Sequence, residues 1–142
     1  MMMFGKMLVC HDGSAGAQRA LVLGIELARL TGSELHMISV EEDLPHYVAT
    51  AGEFEDVKEQ RNGYFGKLGK DAIALAQQSG VTLTHHVLAG HEVQVIVEFA
   101  KEGGFDLLVL GFAGHSNIWG RIWGASSQNL TRLAPCSVLV AK

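Results

Sequence analysis

Two short segments of this chain hold the residue types that ligand chemistry needs. The first is His11-Asp12-Gly13-Ser14, a carboxylate set between an imidazole and a glycine, with a hydroxyl after it. At the end of a strand, the Asp12 carboxylate can accept hydrogen bonds from a ribose or a base. The same four residues also make an ordinary turn in which Asp12 or Ser14 caps the following helix. The second segment opens with Gly111-Phe112-Ala113-Gly114-His115 and closes with Gly124-Ala125-Ser126-Ser127. Gly111 and Gly114 permit a close backbone approach to a ligand, or a positive φ. A helix starting near Ser126 offers unpaired N–H groups and a favourable dipole to an anion. A phosphate chain lying between the Gly111 turn and that helix start is one reading. A loop with glycine turns and Ser126 as a plain N-cap is the other.

Other chemistries find less support. No G-x-G-x-x-G follows the first strand, where a dinucleotide would require it. The stretch Gly63-Tyr64-Phe65-Gly66-Lys67-Leu68-Gly69-Lys70 lacks P-loop spacing and falls inside a predicted helix. Leu88-Ala89-Gly90-His91 and Phe112-Ala113-Gly114-His115 both lack the first histidine of the H-x-G-H nucleotidyl-transferase signature. Ser14 is not set in a G-x-S-x-G elbow. His85 and His86 are adjacent on a strand and point to opposite faces, and no Cys or carboxylate cluster completes a metal site beside them. They read as surface or edge histidines. Cys10 and Cys136 should be separated by a strand, more than two strand spacings of about 4.8 Å, which is beyond disulfide reach. Both read as small buried hydrophobes. Ile118, Trp119, Ile122 and Trp123 form an apolar cluster in the second segment, fit for a lid, a partner patch or packing against the last helix.

The elements that would position these segments alternate short β-branched runs with helical stretches, the pattern of βαβ units and a parallel sheet. Strands are expected over 4–10, 34–40, 81–88, 106–111 and 137–141. Helices are expected over 15–30, 54–78, 91–102 and 126–133. Residues 41–52, with Pro45, and 112–124 read as loops, and glycines 63, 66 and 69 signal a kink or close packing in the second helix. Right-handed crossovers leave few arrangements. If the first three strands wind one way and the last two the other, the order is 3-2-1-4-5, with helices on both faces. The switch point then lies between the first and fourth strands, and ligands in such sheets bind outside the carboxyl ends there. Both candidate segments fall at that point.

At 142 residues, 48% hydrophobic and 18% charged, the chain suits one domain over 1–142 with a substantial core. A net charge of −4 without a basic block argues against a nucleic-acid partner. No apolar run approaches the roughly 18 residues of a membrane span, and the start of the chain lacks a signal-peptide core, so a cytoplasmic location is expected.

The opening Leu8 to Ser14, the stretch Gly90 to Ala100, Asp106 to Gly111 and Ala134 to Ala141 together resemble the universal stress protein family. Gly111, Gly114 and Gly124 are similar to the G-x2-G-x9-G-(S/T) signature of its ATP-binding branch. The resemblance implies a 3-2-1-4-5 sheet, binding of ATP or AMP (with Mg²⁺ accompanying ATP), and homodimers through the C-terminal strand. It implies that Asp12 holds the adenosine part, that Val40 lines the adenine pocket, and that Gly111, Gly114 and Gly124 pass along ribose and phosphates. Four positions depart from the pattern, with Phe112 and Ala113 standing in place of a frequent Thr-His pair. Ala125 stands where the signature has Ser or Thr, with Ser126 and Ser127 as neighbouring hydroxyls, and His115 stands where the family often has Arg. The implied function is a nucleotide-binding regulatory module in stress response. A weak ATPase and a nucleotide-free dimeric interaction protein are the alternatives. Hydrolysis needs a water activator, and no carboxylate lies near Gly114 or Ser126 in the sequence.

Overall fold

A computed structural model of the chain describes residues 4–42, 51–112 and 125–142. In chain order the elements are β1 (Lys6–Cys10), α1 (Ala15–Thr31), β2 (Glu34–Glu41), α2 (Ala51–Gln78), β3 (Leu83–Ala89), α3 (Glu92–Glu102), β4 (Leu107–Gly111), α4 (Ala125–Leu133) and β5 (Ser137–Ala141). All four strand pairings are parallel and the order is β3-β2-β1-β4-β5, as expected.

The strand alternation builds two apolar layers. Met7, Val9, Leu35 and Met37 face α1 and α2, where Leu21, Ile25, Ala72 and Ala76 meet them. Leu8, Ile38, Leu108 and Leu110 face the other way, onto Ile96 and Ala100 of α3 and Leu130 of α4. Central strands buried on both faces must read as nearly continuous apolar runs, and Leu107 to Leu110 are all buried.

Several boundaries differ from the sequence expectation, each for a local reason. Phe4 and Gly5 precede β1 because the Asp106 carboxylate takes the Gly5 N–H (2.9 Å) and the Lys6 N–H (3.1 Å). Asp106 is therefore a clamp between β1 and the α3–β4 turn, and β4 begins one residue after it. Val81 precedes β3 because its N–H donates to Ala76 C=O (2.9 Å) in the turn that closes α2, with Gly80 at φ +71. The second helix starts at Ala51, three residues earlier than expected, while Glu41 belongs to β2 rather than to the following loop. Pro45 lies outside the described residues. Ala125 is already helical, so Ser126 is the second residue of α4 and not its cap.

Candidate functional site

The carboxyl ends of all five parallel strands share one edge of the sheet. At β1 the chain leaves toward α1 and β2, and β4 pairs with the other side of β1. The first and fourth strands therefore send their following segments to opposite faces, and their ends flank a gap. Backbone bonds fix the rim of this edge. His11 N–H donates to Ile38 C=O (3.0 Å), Gly90 N–H to Glu41 C=O (2.9 Å) and Phe112 N–H to Ala141 C=O (2.9 Å).

The turn after β1 is built from local polar bonds. Asp12 Oδ1 accepts the Ser14 N–H (2.9 Å), and Ser14 Oγ accepts the Ala17 N–H (3.1 Å) as the N-cap of α1. The capping reading of this segment is therefore correct for Ser14, and Asp12 takes part in the same turn. Gly13 has φ +90, and a Cβ there would lie 2.6 Å from Tyr64 Cζ of α2. The Tyr64 hydroxyl reaches Asp12 C=O at 3.4 Å.

His11 is 3% exposed. Its Nδ1 accepts the Gly13 N–H at 3.0 Å, and its Nε2 lies 2.9 Å from Gln18 Oε1. Burial pushes its pKa below the ordinary imidazole value, against the opposing pulls of the Gln18 hydrogen bond and the Asp12 charge. Beneath it Ser39, 1% exposed, donates to His11 C=O (2.8 Å), and His85 Nε2 lies 2.9 Å from the same hydroxyl. His85 and His86 do point to opposite faces, but neither is a bare surface histidine. His85 is wedged between β3 and Gly69 of α2, and His86 stacks on His36 with ring centroids 5.1 Å apart.

Of the residues named from the sequence, Asp12, Val40 and Gly111 meet at the carboxyl edge, at the ends of β1, β2 and β4. Val40 is half-buried against the α3 side of the core. Gly111 has a reason to be glycine that needs no ligand: a Cβ there would lie 2.7 Å from Ala17 N and 2.5 Å from Gly16 O of α1. Its φ is not positive. Ser126 and Ser127 are half-buried in the first turn of α4. That helix runs back toward the start of β5, so its N-terminus also lies on the carboxyl side. Gly114, His115 and Gly124, and the Trp119–Trp123 cluster, lie outside the described residues. Cys10 and Cys136 are free and half-buried, and burial is the main cause that raises both thiols. That suits small apolar side chains rather than nucleophiles.

Three residues at this edge escaped the sequence reading, Gln18, Ser39 and Glu41, and His11 entered it only as a member of the first segment, without a role of its own. Among the described residues, Glu41 Oε1 is buried without a hydrogen-bond partner. It lies at the end of β2, next to Val40, and a buried carboxylate oxygen there calls for a donor.

This arrangement, an open parallel sheet packed by helices on both faces with a polar turn at its switch point, defines a doubly wound α/β domain. Residues 3–142 match the universal stress protein family model, and the chain belongs to that family. A universal stress protein of Thermus aquaticus is 30% identical over 141 residues, covering 99% of this chain and 100% of that one. Among solved structures, universal stress protein UspA from Lactobacillus plantarum has a TM-score of 0.90 at 22% identity, covering 98% of each chain. A universal stress protein in complex with cAMP has a TM-score of 0.74 at 25% identity, covering 99% of this chain and 98% of that one.

Proposed function

We propose that this chain binds an adenine nucleotide at the carboxyl edge between β1 and β4 and acts as a regulatory module in stress response, with at most very slow ATP hydrolysis. The observation that carries the reading is the position of the Asp12 turn, at the switch point of a fold whose 25% identical relative was solved with cAMP. In this reading Asp12 and Val40 receive the nucleoside, and Gly111, Gly114, His115 and Gly124 follow the ribose and phosphates. Ala125, Ser126 and Ser127 present the first turn of α4 to the phosphate end. The unpaired Glu41 Oε1 fits a site that awaits a donor from a base or sugar.

Ala125 weakens the phosphate end of this site. A hydrogen bond to a charged group contributes roughly 1.5–3 kcal/mol, so the absent hydroxyl costs about ten-fold or more in affinity. ATP and AMP should therefore bind with similar strength. Mg²⁺ would accompany ATP and offset the charge of its phosphates. Among the described residues no strand pairs with the outer edge of β5, and in this reading that edge receives a second copy of the chain, which would satisfy its outward backbone groups.

Denaturing mass spectrometry of freshly purified protein, followed by titration calorimetry with ATP and AMP, tests the nucleotide reading. Co-purified nucleotide or micromolar binding supports it. No bound nucleotide and no heat at millimolar ligand would sink it and favour the interaction protein. Sedimentation velocity tests the second copy, and a monomer at high concentration would exclude it.

A further inference from the structure

His11 is a buried imidazole placed directly before the carboxylate that the nucleotide reading depends on, and its hydrogen bonds determine its protonation state. The Gly13 N–H can only donate, so Nδ1 must be bare. A neutral ring then carries its proton on Nε2, which donates to the Gln18 side-chain oxygen. The Gly13 N–H, bound to this ring, and the Ser14 N–H, bound to Asp12 Oδ1, are consecutive donors of one turn. The ring and the carboxylate thus hold the same two residues from either side. We propose that His11 is the positioning residue of the nucleotide site: its neutral ring holds the Asp12 turn in register for the ligand, and protonation of Nδ1 releases it.

A proton on Nδ1 would face the Gly13 N–H, replacing a hydrogen bond by two opposed donors in a buried place. The surrounding elements decide how hard that is. Asp12, on the turn itself, favours the proton, and Gln18 of α1 accepts from the ring in either state. Ser39 of β2 holds the His11 carbonyl, and His85 of β3 stands behind that hydroxyl as a second imidazole that senses the charge of His11. Tyr64 of α2 covers the Asp12 carbonyl. Burial prevails over the Asp12 charge, so the ring is neutral near neutral pH and the turn is held. Acid then weakens nucleotide binding through a group that need not touch the nucleotide.

The inference rests on the nucleotide reading, and the experiment separates the two. AMP is titrated into the parent, His11→Phe and His11→Asn chains from about pH 7.5 to about pH 5.5. The phenylalanine removes the acceptor for Gly13 and should weaken AMP about ten-fold at the upper pH. The asparagine returns an acceptor two residues before the Gly13 amide, without a titrating group, and should rescue that loss with a flatter pH profile than the parent. The phosphate of AMP titrates equally in all three chains, so the difference between profiles belongs to His11. Equal slopes in the parent and His11→Asn would overturn the proposal. A second readout needs neither ligand nor variant. In the parent, the NMR signal of the Gly13 amide should move with the same midpoint as the His11 ring, and its exchange with solvent should quicken below it. A Gly13 amide indifferent to the ring would also overturn the proposal. Absence of AMP binding at every pH would instead remove the nucleotide reading.

Discussion

The nucleotide reading gives Asp12 a second role that substitution can separate from its turn contact. Its Oδ1 holds the Ser14 N–H, and in the proposed reading its charge also meets a ribose or base. Asp12→Asn retains a carbonyl oxygen for Ser14 and drops the charge. The expected result is a loss of about ten-fold in AMP affinity by calorimetry, with a thermal midpoint close to the parent's. Parent-like affinity in that variant would place Asp12 outside the site. Ala125→Ser is the opposite test, at the phosphate end. It should tighten ATP by up to about ten-fold while leaving AMP nearly unchanged, because the proposed reading assigns the missing hydroxyl to the longer phosphate chain. Equal gains for both ligands would mean that α4 does not distinguish them. Asp12 and Ser14 were legible in the sequence because their main contacts lie within three residues. The buried network behind His11 was not, because Ser39 of β2 lies 28 residues beyond His11 and His85 of β3 a further 46 beyond Ser39.

The three glycines of α2 look alike in the sequence, and the structure separates them. Gly63 and Gly66 face open space, where a Cβ would meet nothing within 4 Å. Gly69 lies against His85, where a Cβ would come within 3.0 Å of Cε1 and closer still to Nδ1. Gly63→Ala and Gly66→Ala should each stabilise the protein by about 0.5–1 kcal/mol, through helix propensity and a less flexible unfolded chain. Gly69→Ala should destabilise it by about 1–3 kcal/mol, since the imidazole is held by Ser39 and cannot easily yield. Urea denaturation of the three variants measures this, and a stabilised Gly69→Ala would show that His85 is not wedged there. Helical periodicity alone located α2 but could not tell an open face from a contact face at residues without side chains. The same blindness applies to Gly111, whose contact with the first turn of α1 exists only once β4 lies beside β1. The starts of β1 and β3 were misplaced because side-chain and turn hydrogen bonds, not apolar spacing, decide where a ladder begins.

At the scale of the whole molecule, the sheet order was readable because the right-handed crossover rule leaves so few windings for five strands and four helices. Buried polar networks follow no such rule, and three histidines in them govern how the fold responds to acid. His11, His85 and His86 all have lowered pKa values, with burial as the first cause in each. For His85, the neighbouring His86 and His11 add to it; for His86, His36 and Lys6 do. A base whose pKa is lower in the folded state binds protons less readily there than in the unfolded chain. Stability is therefore unaffected well above the ordinary imidazole value of about 6.5 and falls as pH drops through it. The fall levels off below the folded-state values, where both states are protonated. Glu34 works in a lower range: its hydrogen bond to His36 lowers its pKa, so its contribution is lost only at pH below the ordinary carboxylate values. That pair is exposed and screened, so the histidines should dominate the first loss of stability. Thermal unfolding followed by circular dichroism should therefore show a flat midpoint between the imidazole range and the ordinary thiol range of about 8.5, above which the two raised thiols act, and a decline beginning near the imidazole range. His85→Asn should flatten that decline, because it removes one of the three titrating groups. A midpoint constant down to the carboxylate range would mean that these imidazoles take up protons as easily in the folded chain as in the unfolded one. The buried network around Ser39 would then be open to water.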